Sequence, residues 1–268
     1  MSIYDQRGAF LKARTALRLR LFELRAYMAD GFHSPRPISK PNVLIFGQGR
    51  SGSTLLENLL VSTGHFTGYH EALNTVTREV IAPDRFIRGL GRLPSETGAI
   101  VHVKPEHLDW ARRKRGAVDA RAFVETLVAD GWAILHLQRQ DLLRQMVSKY
   151  VAEARGGFHK TDDRAETIRL EIPVADFIAD YERRFGLLDQ EHAVLEGIPH
   201  RVLFYETHLE DSAVHQQTID EILDALNLER RPVSTTLKKI ASASPADHLK
   251  NCEALEAAFT SRGWEWTL

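Results

Sequence analysis

The residues with the clearest capacity for chemistry form a glycine-rich turn between an apolar strand and an apolar helix. From Val43 to Leu56 the sequence reads Val-Leu-Ile-Phe-Gly-Gln-Gly-Arg-Ser-Gly-Ser-Thr-Leu-Leu. Glycines permit backbone dihedrals that side chains forbid, so successive N–H groups can converge on an anion at the positive end of the helix. The turn therefore predicts a phosphate cradle, to which Ser51, Ser53 and Thr54 can add hydroxyl donors.

One position separates this turn from that of the nucleotide triphosphatases. Gly47 and Gly52 have the separation of that motif, and Thr54 occupies the place of its Mg²⁺-binding hydroxyl. Ser53, however, stands where the motif requires lysine. Arg50 supplies a cation earlier in the turn, which can hold a terminal phosphate and neutralise a departing phosphate oxygen. Metal-assisted phosphoryl transfer is thereby disfavoured, and a turn without a ligand is a further alternative.

Residues 50–56, Arg-Ser-Gly-Ser-Thr-Leu-Leu, resemble the donor loop of the sulfotransferases that use 3′-phosphoadenosine 5′-phosphosulfate. Within that family the resemblance is to the bacterial carbohydrate (trehalose-type) branch, whose loop binds the 5′-phosphosulfate end of the donor. It implies transfer of a sulfuryl group to an acceptor hydroxyl. The donor-binding residues that it implies in the loop are Arg50, Ser51, Gly52, Ser53 and Thr54.

A second strand-to-helix segment, from Ala133 to Tyr150, carries an arginine and a serine. Arg139 follows the predicted strand at its carboxyl end, where open α/β sheets place their ligands. The same sulfotransferases grip the donor's 3′-phosphate with an arginine and a serine in this arrangement, so the resemblance assigns that role to Arg139 and Ser148. Many relatives separate the pair by eight positions rather than nine, and Arg144 is therefore an additional candidate. The alternative is that Arg139 only caps the strand and that Ser148 is a solvated helix residue.

Sulfuryl transfer requires a base for the acceptor's proton and cations for the sulfuryl oxygens and the leaving phosphate. The segment Thr63 to Asn74 returns toward the predicted site with His70 and Glu71 near its end. A glutamate at this distance from the loop is the proposed base in the bacterial carbohydrate sulfotransferases, so the resemblance favours Glu71. His70 stays an alternative, because its ordinary pKa suits neutral pH and other branches use histidine. Lys104 follows another predicted strand and is either a second catalytic cation or a surface lysine.

Short apolar runs predict strands at residues 43–46, 99–103, 133–137 and 201–205. Helical periodicity predicts helices at residues 53–61, 121–129, 141–154, 174–195 and 214–226. This alternation indicates an α/β fold, a P-loop-like three-layer sandwich with a short parallel sheet flanked by helices. The stretch from Arg201 to Leu209 also resembles the family's late strand ending in Tyr-Glu, so Tyr205 and Glu206 are interpreted as structural.

The first 41 residues are predicted to form a basic amphipathic helix and a linker, leaving residues 42–268 for the sulfotransferase domain. From Leu11 to Met28, lysine and arginine alternate with leucine and phenylalanine. This pattern is compatible with a helix packed on its own domain, with a homodimer contact and with a peripheral membrane contact.

Composition limits the remaining classes. The 35 Lys and Arg balance the 36 Asp and Glu, so no overall field calls for a nucleic-acid partner. One cysteine allows no internal disulfide and no apolar run reaches the roughly 20 residues of a membrane span, so a cytoplasmic protein is expected. The 12 histidines lack metal-site spacing, so no metal is expected. The expected acceptor is a hydroxyl-bearing small molecule, glycan or glycolipid; the alternatives are a P-loop small-molecule kinase or nucleotide hydrolase, and a non-catalytic nucleotide-binding relative.

Overall fold

The structure, a computed structural model, describes residues 3–31, 41–75, 79–109, 111–154, 168–237 and 244–268, and within them all side chains except those of residues 3–14, 16 and 245. In chain order its elements are α1 (Ile3–Gly31), β1 (Asn42–Phe46), α2 (Ser53–Ser62), β2 (Phe66–Gly68), α3 (Pro83–Arg92), β3 (Gly98–Val103), α4 (Pro105–Leu108), α5 (Ala120–Ala129), β4 (Trp132–Gln138), α6 (Leu142–Ala154), α7 (Val174–Leu195), β5 (Arg201–Phe204), α8 (Tyr205–His208), α9 (His215–Ala225) and α10 (Cys252–Thr260). Short 3₁₀ turns occur at Ser212–Val214 and Pro245–His248.

Within the described residues the strands form one five-stranded sheet in the order β2-β3-β1-β4-β5. Every pairing is parallel, and in the centre Ile45 lies beside His102 on β3 and Leu135 on β4. The predicted α/β fold with a parallel sheet flanked by helices is thus confirmed. Strand β2 was missed, because Phe-Thr-Gly offers a single large apolar residue and no alternation for a pattern to detect.

Side chains alternate between the two faces of the sheet, which gives three layers. On β1, Leu44 and Phe46 enter an apolar cluster that includes side chains of α1, α3 and α5. Val43 and Ile45 enter a second cluster with side chains of α2 and α9. All four are fully buried, and burying such a side chain contributes about 1.5–3 kcal/mol to folding. Apolar residues on both faces explain why β1 reads as a continuous hydrophobic run.

A third cluster joins α6 to α7 and to the C-terminal residues. Met146, Phe177, Leu255 and Phe259 are its fully buried members, and Trp264 and Trp266 also pack against the cluster. It fixes the position of α6, the helix that follows the turn after β4. The bounds predicted for α7 are those found. Helix α10 was not predicted from the sequence.

Helix α1 lies within the first 41 residues, where the sequence predicts a helix and a linker. It packs closely on α3, where a Cβ on Gly89 would lie 2.0 Å from the carbonyl oxygen of Ala26. Asp30 near its end receives hydrogen bonds from Arg88 and Arg92 at 3.0 and 2.7 Å. Most of the predicted linker lies outside the described residues. No helix in the described ranges combines the length and the apolar character that crossing a bilayer would require.

Candidate functional site

The turn after β1 is shaped by two glycines that admit close neighbours. A Cβ on Gly47 would lie 2.3 Å from the carbonyl oxygen of Leu137 on β4. Gly52 has φ 96° and caps the start of α2, and a Cβ there would lie 2.6 Å from the ring of Tyr205. No other residue type fits these two positions without displacing its neighbours.

Helix α6 holds this turn from the opposite side. Nε and Nη2 of Arg50 donate to Oγ of Ser148 at 3.3 and 3.0 Å. Nε2 of Gln145 donates to the carbonyl oxygen of Gly49 at 2.8 Å. Arg50 itself has φ 68°, a left-handed conformation that a non-glycine residue adopts at a cost. The structure therefore brings together residues from both predicted phosphate sites, and Arg50 reaches from one to the other.

The three hydroxyl residues of the turn have different surroundings. Ser51 is buried and donates to the carbonyl oxygen of Gln48 at 2.8 Å, so its proton is used within the turn. Ser53 and Thr54 are the first two residues of α2. The first N–H groups of a helix have no acceptor within it and carry the positive end of its dipole. The turn therefore presents backbone N–H donors at the position where the sequence predicts a bound anion.

Arg139 lies flat against an aromatic ring. Its guanidinium carbon is 3.9 Å from the ring centroid of Tyr205. Its Nε is buried and has no hydrogen-bond partner among the described residues. Burial, and after it the charge of Arg139, lowers the pKa of Arg50. The Tyr205 ring that carries Arg139 also packs against Gly52, so Arg139 lies beside the turn. Tyr205 was interpreted as structural, and its contact with Arg139 was not foreseen.

Arg144, the additional candidate for the second phosphate site, is engaged elsewhere. Its Nη2 donates to Oε1 of Glu210 at 3.0 Å. Its backbone N–H donates to Oδ1 of Asp141, which caps the start of α6. Among the arginines of this segment, Arg139 is thus the one whose buried Nε is left for a ligand.

Glu71 and Lys104 form an ion pair beside the turn. Nζ of Lys104 lies 2.7 Å from Oε1 of Glu71, and also 3.3 Å from where a Cβ on Gly49 would stand. Lys104 follows β3, the neighbour of β1, so the adjacent strand supplies a cation that the turn lacks at Ser53. Burial alone would raise the pKa of Glu71, but the charge and the hydrogen bond of Lys104, together with the nearby His102 and His107, outweigh it and the pKa lies below its usual value. The carboxyl group is therefore ionised at neutral pH.

Two buried histidines complete this cluster. His102 donates from Nε2 to the carbonyl oxygen of Gly47 at 3.2 Å, and His107 accepts the N–H of Lys104 at Nδ1 at 3.4 Å. Burial lowers the pKa of His102 to about 4 and, with the Lys104 charge, that of His107 to about 3. Both rings are neutral at pH 7, so their 3.8 Å approaches to Glu71 are not ion pairs. No pattern in the sequence predicted their position beside Glu71.

His70, the rival base, points away from this cluster. Its backbone N–H and its Nδ1 lie 2.9 and 3.0 Å from the two carboxylate oxygens of Glu57. Glu57 is buried, whereas the His70 side chain is 73% exposed. With φ 52°, His70 bends the chain so that the next residue, Glu71, meets Lys104. His70 and Glu71 thus occupy different surroundings although they are adjacent in sequence.

Buried polar groups also support the turn from α7. Nε2 of Gln48 donates to the carbonyl oxygen of Arg184 at 3.0 Å. His136 on β4 lies 2.9 Å from the carboxyl group of Glu191. Burial raises the pKa of Glu191 well above its usual value and lowers that of His136 to about 3, so the two form a neutral hydrogen bond rather than an ion pair. The Gln48 contact joins the turn to α7, and the His136–Glu191 pair joins β4 to the same helix.

In the part of the chain that the structure describes, no three His, Cys, Asp or Glu side chains are grouped so that they could hold a metal ion.

The sequence matches no protein-family model and no curated protein. A crystal structure of a sulfotransferase from Alicyclobacillus acidocaldarius is similar to this chain with a TM-score of 0.48 and 13% identity, over 83% of this chain and 94% of that one. A likeness of this strength does not establish a shared activity, so the function has to be argued from the site residues.

Proposed function

We propose that the protein is a sulfotransferase that moves a sulfuryl group from 3′-phosphoadenosine 5′-phosphosulfate to an acceptor hydroxyl. The observation that carries the proposal is the set of cations around the start of α2. Arg50, Arg139 and Lys104 follow three different strands and lie around one turn, and the carboxylate of Glu71 pairs with Lys104. Such a site suits a substrate with several negative charges at two separate points.

The donor carries a phosphosulfate at one end and a 3′-phosphate at the other. The backbone N–H groups at the start of α2 and the Arg50 guanidinium suit the phosphosulfate. Arg139 and Ser148 suit the 3′-phosphate, which would give the buried Nε of Arg139 the acceptor it lacks among the described residues. Because Arg50 already contacts Ser148, it can bridge the two anionic groups. An anion between Arg50 and Arg139 would also offset their repulsion.

In the proposed reaction the acceptor oxygen attacks sulfur and forms a new O–S bond. The bond between sulfur and the bridging oxygen of the 5′-phosphate breaks, and 3′,5′-adenosine bisphosphate leaves. The acceptor's proton passes to Glu71, which is ionised and sits beside the turn. Lys104, between Glu71 and Gly49, is placed to neutralise charge on the sulfuryl oxygens or the leaving oxygen.

Contact between Lys104 and a bound donor would have a second effect. The ion pair with Lys104 is the main interaction that holds the pKa of Glu71 below its usual value. If the donor's negative charge draws the ammonium group toward the turn, the pKa of Glu71 rises and the carboxylate becomes a stronger base. We therefore assign the base to Glu71 rather than to His70, whose ring is held by Glu57 away from Lys104.

For the acceptor we propose a hydroxyl of a carbohydrate or glycolipid. The support is the resemblance of residues 50–56 to the loop of the bacterial carbohydrate sulfotransferases.

The proposal is tested by calorimetric titration with 3′,5′-adenosine bisphosphate, and separately with ATP and Mg²⁺. We expect the bisphosphate to bind in preference to ATP and Mg²⁺. Arg50→Ala and Arg139→Ala should each weaken its binding about tenfold or more, since each removes a charge-assisted hydrogen-bond donor. Arg230→Ala is the matched control, because that arginine is exposed and pairs with Asp224 at 2.6 Å.

Preferential binding of ATP and Mg²⁺ would replace this proposal with the kinase or hydrolase alternative. Binding that survives both substitutions would remove Arg50 and Arg139 from the donor site. If neither nucleotide binds, the protein is not a nucleotide-dependent transferase.

A further inference from the structure

Helix α1 has two apolar faces, and among the described residues one of them packs against the rest of the protein while the other is exposed. On the inner face Ala26 is fully buried, and the ring of Phe22 meets Phe86 of α3 edge to face with centroids 6.0 Å apart. The outer face carries four large side chains at spacings of four, three and four residues, which form one stripe along the helix. This α1 stripe consists of Leu17, Leu21, Leu24 and Met28, which are 60%, 56%, 52% and 46% exposed.

The charges around the α1 stripe have one sign. Between residues 15 and 31 the only acidic residues are Glu23 and Asp30, and both are buried toward the protein. Glu23 is paired with Arg20 at 2.6 Å. Arg18 and Arg25 are exposed, and helical geometry places both along one edge of the stripe. The outward face of this segment is therefore apolar and cationic, without an exposed carboxylate.

A second basic segment adjoins the helix. Residues 113–115, Arg-Lys-Arg, are exposed. The N–H of Lys114 donates to both carboxylate oxygens of Glu79 at 3.1 Å, and the carbonyl oxygen of Glu79 lies 3.5 Å from Nη1 of Arg20 on α1. Close by, Ile81 is 56% exposed and its N–H donates to Glu23 at 2.9 Å. The cationic surface thus extends beyond α1 onto the loop that carries residues 113–115.

We propose that this surface, the α1 stripe with its flanking basic residues, docks on an anionic lipid membrane. An interfacial helix buries an apolar face among the acyl chains while arginines reach the headgroups, and negatively charged lipid attracts each cation close to the surface. A second copy of the chain fits less well. Pairing two α1 stripes would bring Arg18 and Arg25 of one copy against the arginines of the other, with no exposed carboxylate between residues 15 and 31 to balance them.

The position of the surface ties it to the candidate site. Phe22 on α1 packs against Tyr69 with ring centroids 6.2 Å apart. Tyr69 precedes Glu71 by two residues, so α1 lies beside the loop that holds the candidate base. Membrane docking would therefore bring the loop that carries Glu71 close to the lipid surface. The inference itself does not depend on sulfuryl transfer, and its test requires no activity.

The test is cosedimentation of the full chain with vesicles of phosphatidylcholine alone and with vesicles that also contain phosphatidylserine. We expect binding to the anionic vesicles, weakened by added salt. The double substitution Leu21→Ser with Leu24→Ser should weaken binding to the anionic vesicles about tenfold or more, because two apolar side chains are no longer buried among the acyl chains. Arg18→Glu with Arg25→Glu should weaken it to a similar extent, about tenfold or more. Phe185→Ser, which alters a side chain 53% exposed on α7, is the matched control and should bind as the unchanged chain does.

Light scattering on the same variants tests whether a second copy of the chain, rather than a membrane, covers the α1 stripe. A dimer that dissociates on Leu21→Ser with Leu24→Ser would assign the stripe to a second copy and overturn the proposal. It is equally overturned if the unchanged chain ignores anionic vesicles, or if the α1 variants bind them as well as Phe185→Ser does. Unaltered melting temperatures would show that the variants are folded, as expected for substitutions at exposed positions.

Discussion

The two halves of the candidate site differ in what holds their side chains and in how those side chains carry charge. The donor half, Arg50, Arg139 and Ser148, comes from the strand-to-helix segments after β1 and β4, and its charged groups are guanidiniums that stay protonated at any physiological pH. The transfer half, Glu71 and Lys104, pairs a carboxylate from the loop after β2 with an ammonium after β3 and is enclosed by neutral histidines. The two halves meet where His102 donates to the carbonyl oxygen of Gly47.

For the proposed function, this difference predicts that donor affinity and transfer rate are separable. A permanent positive charge suits binding of an anion that must be held throughout the reaction. A carboxylate in contact with an ammonium suits a step in which charge and a proton move, because its basicity changes with the position of its partner. Substitutions in the donor half should therefore leave the transfer rate nearly intact. Substitutions in the transfer half should leave donor affinity nearly intact.

The largest separation is expected from Glu71→Gln. The amide keeps the shape of the side chain but cannot accept the acceptor's proton, so turnover should fall by about 10²-fold or more. Binding of 3′,5′-adenosine bisphosphate, measured by calorimetry, should persist. The comparison variant is His70→Gln, which alters the rival base and should leave turnover far closer to that of the unchanged chain. Full turnover in Glu71→Gln would remove this residue from the mechanism.

The second prediction concerns the stability of the transfer half toward acid. His102 and His107 have folded pKa values of about 4 and about 3, whereas an unfolded histidine titrates near pH 6.5. Between these values the unfolded chain binds protons that the folded chain does not, so stability is fully present above pH 6.5 and falls as the pH is lowered. From pH 7.5 to 5.5 each histidine should remove about 1.4 kcal/mol from the free energy of unfolding, measured with urea.

Replacement of one ring isolates its contribution. His107→Asn should flatten the pH dependence by about 1.4 kcal/mol over the same interval, whatever it does to stability at pH 7.5. Glu125→Gln, at an exposed position on α5, is the control and should leave the slope unchanged. A pH slope in His107→Asn equal to that of the unchanged chain would contradict the buried, neutral state of this ring.

Sequence reasoning succeeded where one short segment carries the information. The run from Val43 to Leu56 contains the strand, the glycines and the start of the helix, so β1, the turn and α2 could be predicted together. The alternation of such units predicted the parallel sheet. The proximity of Arg139 to the turn followed from the general rule that carboxyl ends of parallel strands lie at one edge of the sheet.

Sequence reasoning failed for contacts that join distant segments through residues outside any recognisable motif. Glu57 appears in the sequence as one more polar residue of α2, yet its buried carboxylate fixes the bend at His70. Lys104 could be placed near the crevice, but its ion pair with Glu71 depends on the loop after β2, an edge strand of three residues that no pattern indicates. Such contacts depend on tertiary packing, which periodicity does not encode.

The smallest expected effect tests how the donor half is held, through Tyr205. Its ring supports the Arg139 guanidinium, and a cation–π contact of this kind contributes about 0.5–2 kcal/mol. Tyr205→Leu should therefore weaken binding of 3′,5′-adenosine bisphosphate by roughly 2- to 30-fold, as measured by calorimetry. Tyr205→Phe keeps the ring and should bind nearly as the unchanged chain does. Because Tyr205 also packs against Gly52, both variants should be compared at equal folded fraction. Equal affinity in the two variants would mean that packing alone, without the ring's interaction with charge, positions Arg139.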